Sequence, residues 1–200
     1  VIFFGNEFFD AIPIKQFKKK YGLIYERFIK LTKNGFLKIN LKKNKNNRKI
    51  EKFNTLKNLN FIEYPEAGFK ELDVITEKVR KIGGGLLLID YGYIKQLNKN
   101  TIQSVMKHKK NNFLNNLGDA DITYLVNFKL LEEYFLKKKL NLNKTVLQGD
   151  FLKSIGILQR AELLSKKMNF KDKTNLFLRV NRLVHADQMG KIFKVILAYK

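Results

Sequence analysis

Two hundred residues with 44% hydrophobic and 12% aromatic content are enough for one domain with a real core. The chain has no cysteine, which excludes disulfides, a thiolate metal site and a cysteine nucleophile, and no apolar run approaches the roughly 20 residues that span a bilayer. The net charge of +22 invites a nucleic-acid reading, yet only six of the forty basic residues are arginine, the residue suited to bidentate base contacts, and the lysine excess comes with the other residues of A/T-rich codons, so genome composition suffices to explain it.

The chain opens on Val1-Ile2-Phe3-Phe4, an apolar run that breaks at Gly5 and is followed by Asn6, Glu7 and Asp10. Such a run reads as a buried strand of a parallel sheet, open to a neighbour on each side. Starting in mid-sheet without an initiator Met, the chain is expected to be the later part of a longer protein. Residues 11–20 read as a short transition in which Pro13 stops any helix. Leu23–Leu31 and Phe36–Leu41 flank Asn34-Gly35, the strongest short hairpin signal available. Residues 42–52, nearly all Lys and Asn, read as a solvated loop.

Pro65 and Glu66 open a helix in which Phe69, Leu72, Ile75, Val79 and Ile82 recur at helical spacing, and Gly83-Gly84-Gly85 ends it. Leu86–Ile89, closed by Asp90-Tyr91-Gly92, is a second buried strand. Helix, turn and strand make half of a parallel crossover unit, so this strand should pair with the opening one. Strands are expected over 101–107 and 122–128, then a helix capped by Asn127 and running to about Leu140. A short strand over 145–148 follows, and Asp150 caps a helix that Gly156 interrupts before Leu158–Lys167. A helix over 173–184 and a strand over 192–199 come last, with no internal repeat and no domain boundary.

The triple glycine lies between helix and strand, whereas phosphate-cradling loops lie between strand and helix, so it is a helix stop. His108 and His185 have no acidic partner at helical metal spacing, and no Gly-x-Ser-x-Gly elbow occurs. What remains is carboxylates at strand ends: Glu7 and Asp10 after the first strand, Asp90 after the second, Asp119 and Asp121 beyond His108. Ligands of open α/β sheets bind beyond the carboxyl ends of strands. An acidic rim on a basic protein suits a cationic substrate such as a guanidinium, which carboxylates hold by paired, planar hydrogen bonds. Asp10 and Asp121 also read as caps of nearby backbone N–H groups. Glu7 has no such competing reading.

Asn6-Glu7-Phe8-Phe9-Asp10-Ala11-Ile12-Pro13 resembles the Asn/His-Glu-Phe-Phe-Asp-Ala-Leu-Pro signature of the MidA-like family of S-adenosylmethionine-dependent methyltransferases, which includes a mitochondrial complex I assembly factor. The resemblance continues in order through Glu63-Tyr64-Pro65, Gly83-Gly84-Gly85 with Ile89-Asp90-Tyr91-Gly92, His108, and Gly118-Asp119-Ala120-Asp121-Ile122-Thr123 with Val126-Asn127-Phe128. It then takes in Gln148-Gly149-Asp150-Phe151-Leu152, Gly156-Ile157 and Met189-Gly190-Lys191-Ile192-Phe193-Lys194. Each block alone is weak; the order makes them strong.

The resemblance implies an α/β, Rossmann-like class I methyltransferase fold, N-terminally truncated, with residues 1–200 as the C-terminal part of one methyltransferase domain. Residues 1–5 would be its fourth strand, 86–89 the fifth, 145–148 the sixth, and 192–199 an antiparallel seventh inserted between those two. A β-hairpin and the Lys/Asn-rich loop would be inserted over about 20–60. The Gly-rich cofactor loop and the acidic residue for the ribose would lie upstream of Val1, so the chain is expected to carry the substrate side and to be inactive alone. The implied cofactor is S-adenosyl-L-methionine, and the implied substrate is a protein arginine, made symmetric dimethylarginine on a complex I subunit by family analogy. Glu7 would be the principal catalytic clamp with Asp10 as its support. Asn6 would bind substrate or the methyl side of the cofactor, and Tyr91, His108 and Asp121 would complete the substrate rim, with no metal. The family implies the mitochondrial matrix for a eukaryotic member and the cytoplasm for a bacterial one, and it allows a homodimer. Two readings compete: a non-catalytic assembly or scaffold factor on the same fold, and a basic nucleic-acid-binding protein.

Overall fold

The structure is a computed structural model that describes residues 1–44 and 47–200. The strand β1 (Ile2–Asn6) precedes β2 (Lys15–Lys20), β3 (Leu23–Leu31) and β4 (Leu37–Lys43), then two single-turn helices, α1 (Arg48–Glu51) and α2 (Asn54–Lys57). Next, β5 (Phe61–Tyr64) leads through α3 (Glu66–Ile82) to β6 (Gly85–Tyr93). Short strands β7 (Gln103–Met106), β8 (Lys109–Asn111), β9 (Asp121–Thr123) and β10 (Val126–Asn127) lead into α4 (Phe128–Lys137). The rest is β11 (Asn141–Leu147), the helices α5 (Gln148–Ser154), α6 (Ile157–Ser165), α7 (Phe170–Val184) and α8 (Met189–Ile192), and β12 (Phe193–Tyr199).

The main sheet has the order β1-β6-β12-β11. β1 runs parallel to β6, with Ile2 opposite Gly85 and Asn6 opposite Ile89, while β12 is antiparallel to both β6 and β11. Strand alternation puts Leu86, Leu88, Ile196 and Ala198 on one face, in the core formed with Leu72 and Val79 of α3 and Phe128 and Phe135 of α4. The other face presents Ile89, Phe193 and Val195 to Phe151 of α5 and Met189 of α8. Helices cover both faces of β6 and β12, as near-continuous apolar strands require, whereas β1, expected to be buried between two neighbours, is an edge strand with Ile2 84% and Phe4 66% exposed. In α3 Phe69, Leu72 and Val79 of the expected stripe are buried with the polar Thr76 beside them, Ile75 is half-buried and Ile82 is exposed, and Gly83, at φ +80°, ends the helix. Asn127 caps α4 by accepting a hydrogen bond from Leu130 N at 3.1 Å.

A second sheet, β4-β3-β2-β5, feeds Phe17, Ile24 and Ile62 into the same core, together with Ile50, Phe53 and Leu56. A third comprises β8-β7-β9. Several expectations need correction here. Residues 15–20 are β2, not a transition, and the expected inserted hairpin is one half of a four-stranded sheet, although Gly35, at φ +78°, does turn β3 into β4. The loop expected over 42–52 gives way to β4 through Lys43 and to α1, which buries Ile50; Lys45 and Asn46 lie outside the described residues. The strand expected over 122–128 splits into β9 and β10, because Tyr124 N turns away to donate to Asp10 O at 3.2 Å. The strand expected over 145–148 begins at Asn141, and Gln148 already belongs to α5. Leu147 is its N-cap, so Asp150 lies in the first turn instead of capping it. α7 starts at Phe170, where Asn169 accepts from Asp172 N at 2.9 Å. Among the described residues no helix is long and apolar enough to cross a membrane.

Candidate functional site

Because β1 and β6 run parallel in register, the carboxyl end of β1 brings Asn6-Glu7 beside Asp90-Tyr91, which lie within β6 and not beyond its end as expected. The last rung of that ladder is Glu7 N donating to Ile89 O at 3.0 Å. Glu7 itself sits at φ +50°, in the left-handed region that costs a non-glycine residue about 1 kcal/mol or more. The chain then reverses, and the next three amides converge on one oxygen. Phe8 N, Phe9 N and Asp10 N donate to Asp90 Oδ2 at 3.1, 2.8 and 3.3 Å, and Asp90 Oδ1 accepts from Tyr91 N at 2.9 Å. The turn drives the Phe9 ring into the core against Gly68, where a Cβ would fall 2.6 Å from the ring, so only glycine leaves that space. Glu7 remains exposed, accepting from Asn6 Nδ2 at 3.3 Å.

Behind this exposed pair lies a buried acidic cluster. Asp10 is 6% exposed; its Oδ2 accepts from Tyr91 Oη, and its Oδ1 is buried without a partner. Asp90 is 3% exposed, and burial, then the charge of Asp10, push its carboxyl up to about 7, against the main-chain N–H groups that favour its ionised form. Burial first, and then the bond to Asp10, raise the Tyr91 hydroxyl. Tyr124, whose hydroxyl is buried and unpartnered, shares a cavity of about 10 Å³ with Phe9, Glu63 and Tyr93, about the space of one water molecule.

Of the residues singled out from sequence, Asn6 and Glu7 meet at the rim, and Asp10 and Tyr91 meet just behind it. Asp10 lies buried behind the exposed pair, its carboxylate turned to Tyr91. His108, at φ +62°, is exposed in the β7–β8 turn, and Asp121 is exposed in β9 opposite Val105. Among the described residues no hydrogen bond or ion pair joins either of them to Asn6, Glu7, Asp10 or Tyr91. The sequence reading counts Asp90 among the strand-end acids but gives it no site role. The signal is its position: an acid set directly after four apolar strand residues, 86–89, is carried into the interior by the register.

A family model described as "S-adenosyl-L-methionine-dependent methyltransferase" matches residues 1–146. The chain is 30% identical over 199 residues to the mitochondrial "Protein arginine methyltransferase NDUFAF7 homolog" of Caenorhabditis elegans, covering 96% of this chain and 46% of the relative. It is 26% identical over 194 residues to the mitochondrial protein arginine methyltransferase NDUFAF7 of Homo sapiens, covering 96% of this chain and 43% of the relative. The chain thus spans about half the length of the curated relatives it matches. A crystal structure of a Burkholderia thailandensis protein bound to S-adenosyl-homocysteine superposes with a TM-score of 0.83 at 20% identity, over 100% of this chain and 53% of that one. A native crystal structure of a protein from the same organism gives a TM-score of 0.83 at 21% identity, over 100% and 55%. These two likenesses establish an α/β methyltransferase-like fold.

Proposed function

The chain belongs to the MidA-like family of S-adenosyl-L-methionine-dependent methyltransferases, and from that premise we propose that it forms the substrate side of a methyltransferase site whose acceptor is a protein arginine. The observation that carries the proposal is the exposed Asn6-Glu7 pair at the carboxyl end of β1, set in place by the bonds of Glu7 N to Ile89 O and of the next three amides to Asp90. In this reading Glu7 grips the guanidinium through paired, charge-assisted hydrogen bonds, and Asn6, bonded to Glu7, orients the grip. Asp10 and Tyr91 back the turn, while His108 and Asp121 form the outer substrate rim on the third sheet. The chain's contribution to catalysis is alignment of the attacking nitrogen and localisation of the guanidinium charge. The names of the mitochondrial relatives support arginine as the acceptor. Symmetric dimethylation, a complex I subunit as substrate and a matrix location belong to the same proposal, by family analogy.

The residues present fit one flank of the cofactor. Asn6 offers an exposed side-chain amide where the methyl donor would approach. The chain's own glycine run is no cradle, because it lies at the amino end of β6. There a Cβ on Gly84 would fall 1.8 Å from Val1 O, so this glycine permits close chain packing. S-adenosyl-L-methionine, when bound, supplies an electrophilic methyl group.

Titration with an acetylated Gly-Arg-Gly peptide and its citrulline counterpart tests the clamp. Glu7→Gln is expected to weaken the arginine peptide about tenfold or more and to leave the citrulline peptide unaffected. Equal affinity of both proteins for the arginine peptide would sink the assignment.

A further inference from the structure

We infer that Asp90 is the positioning residue of the site: its buried carboxylate sets the turn that holds Glu7 out at the end of β1. This rests on the reading of Glu7 as the guanidinium clamp. Three consecutive main-chain donors, Phe8 N, Phe9 N and Asp10 N, meet on the single atom Asp90 Oδ2, and the other oxygen is taken by Tyr91 N. No basic side chain bonds to this carboxylate among the described residues. A buried charge balanced only by amide dipoles is costly to keep. The convergent geometry gives it a use: one acceptor at that point fixes where three successive peptide planes lie, and with them the residue just before. Glu7 needs such fixing, since its left-handed backbone is not its preferred one. The ladder bond from Glu7 N to Ile89 O ties down one side of that residue, and Asp90, the next residue of β6, ties down the other. Asp90 is too deeply buried to touch a peptide, so its effect on binding must pass through Glu7.

A double-mutant cycle with the same two peptides tests this, in the full chain and with folding of each variant followed by circular dichroism. Asp90→Asn is expected to weaken the arginine peptide roughly 5- to 30-fold in the unmodified background, to leave the citrulline peptide unchanged, and to cause no further loss when Glu7→Gln is already present. Asp90→Glu keeps the charge but moves the acceptor oxygen by one methylene, and it serves the same comparison should the Asn variant not fold. Undiminished arginine affinity in the Asp90 variants, or a loss of equal size in the Glu7→Gln background, overturns the inference while the clamp stands. A Glu7→Gln protein that binds the arginine peptide normally removes both.

Discussion

Asp90 ties function to pH at the level of a single residue. Its folded-state value of about 7 lies above the ordinary 3.8, through burial and then the charge of Asp10, so the folded protein binds this proton more tightly than the unfolded chain does. Stability from this group is therefore greatest below about pH 4, declines as the pH rises toward about 7, and levels off above it. Asp90→Asn removes the titration, and thermal denaturation between about pH 5 and about pH 8 is expected to show a flatter profile than the unmodified protein. An unchanged slope would mean that Asp90 ionises as an exposed acid does. The same cluster shows what single residues reveal from sequence and what they do not. Glu7 and Asp10 are both acids after a strand, three positions apart, and the only local cue that separates them is that Asp10 reads as a cap of backbone N–H groups. The distinction comes from Gly68 on α3, which admits the Phe9 ring, and from Tyr91 on β6, which caps Asp10. Both are far away along the chain.

Elements whose local signals agree with their burial were legible. The α3 stripe from Phe69 to Val79, the Asn127 cap and the apolar β6 each carry period, boundary and hydrophobicity together. β2 carries none of these, because Lys15-Gln16-Phe17-Lys18-Lys19-Lys20 has one apolar side chain, and only pairing with β3 and β5 makes it a strand. Lys194 shows a tertiary role hidden inside a legible strand. Its 8% exposed side chain donates to Gly92 O at 2.8 Å, Lys191 O at 2.7 Å and Ile192 O at 2.9 Å, joining the end of β6 to the end of α8. Burial, then Lys191, lower its pKa, so the ammonium is held at some cost. Lys194→Met relieves that cost but leaves three carbonyls without their donor, and the second effect, about 1–3 kcal/mol per unsatisfied group, is the larger. The urea midpoint is expected to fall with the m-value unchanged; a midpoint that holds or rises would show that water replaces the ammonium.

At the scale of the whole molecule, the net charge of +22 acts on stability more directly than on function. Salt has two opposite effects. It screens ion pairs such as Lys15–Glu66 at 2.8 Å and Lys129–Glu132 at 2.8 Å, but pairs with half-exposed lysines contribute only about 0.2–1 kcal/mol each. It also screens the mutual repulsion of the unpaired lysines, which opposes the compact state throughout. The Debye length shrinks from roughly 30 Å at 0.01 M to about 8 Å at 0.15 M ionic strength, so repulsion across the molecule is lost well before contact pairs are. Repulsion should therefore dominate, and the midpoint of thermal unfolding is expected to rise by about 2–4 °C over that range, the shift that about 1 kcal/mol gives in a chain of this size. Scanning fluorimetry over a salt series checks it. A falling midpoint would mean that the Glu66 cluster, where Lys15 and Lys49 hold the carboxyl down at about 2, outweighs the charge excess.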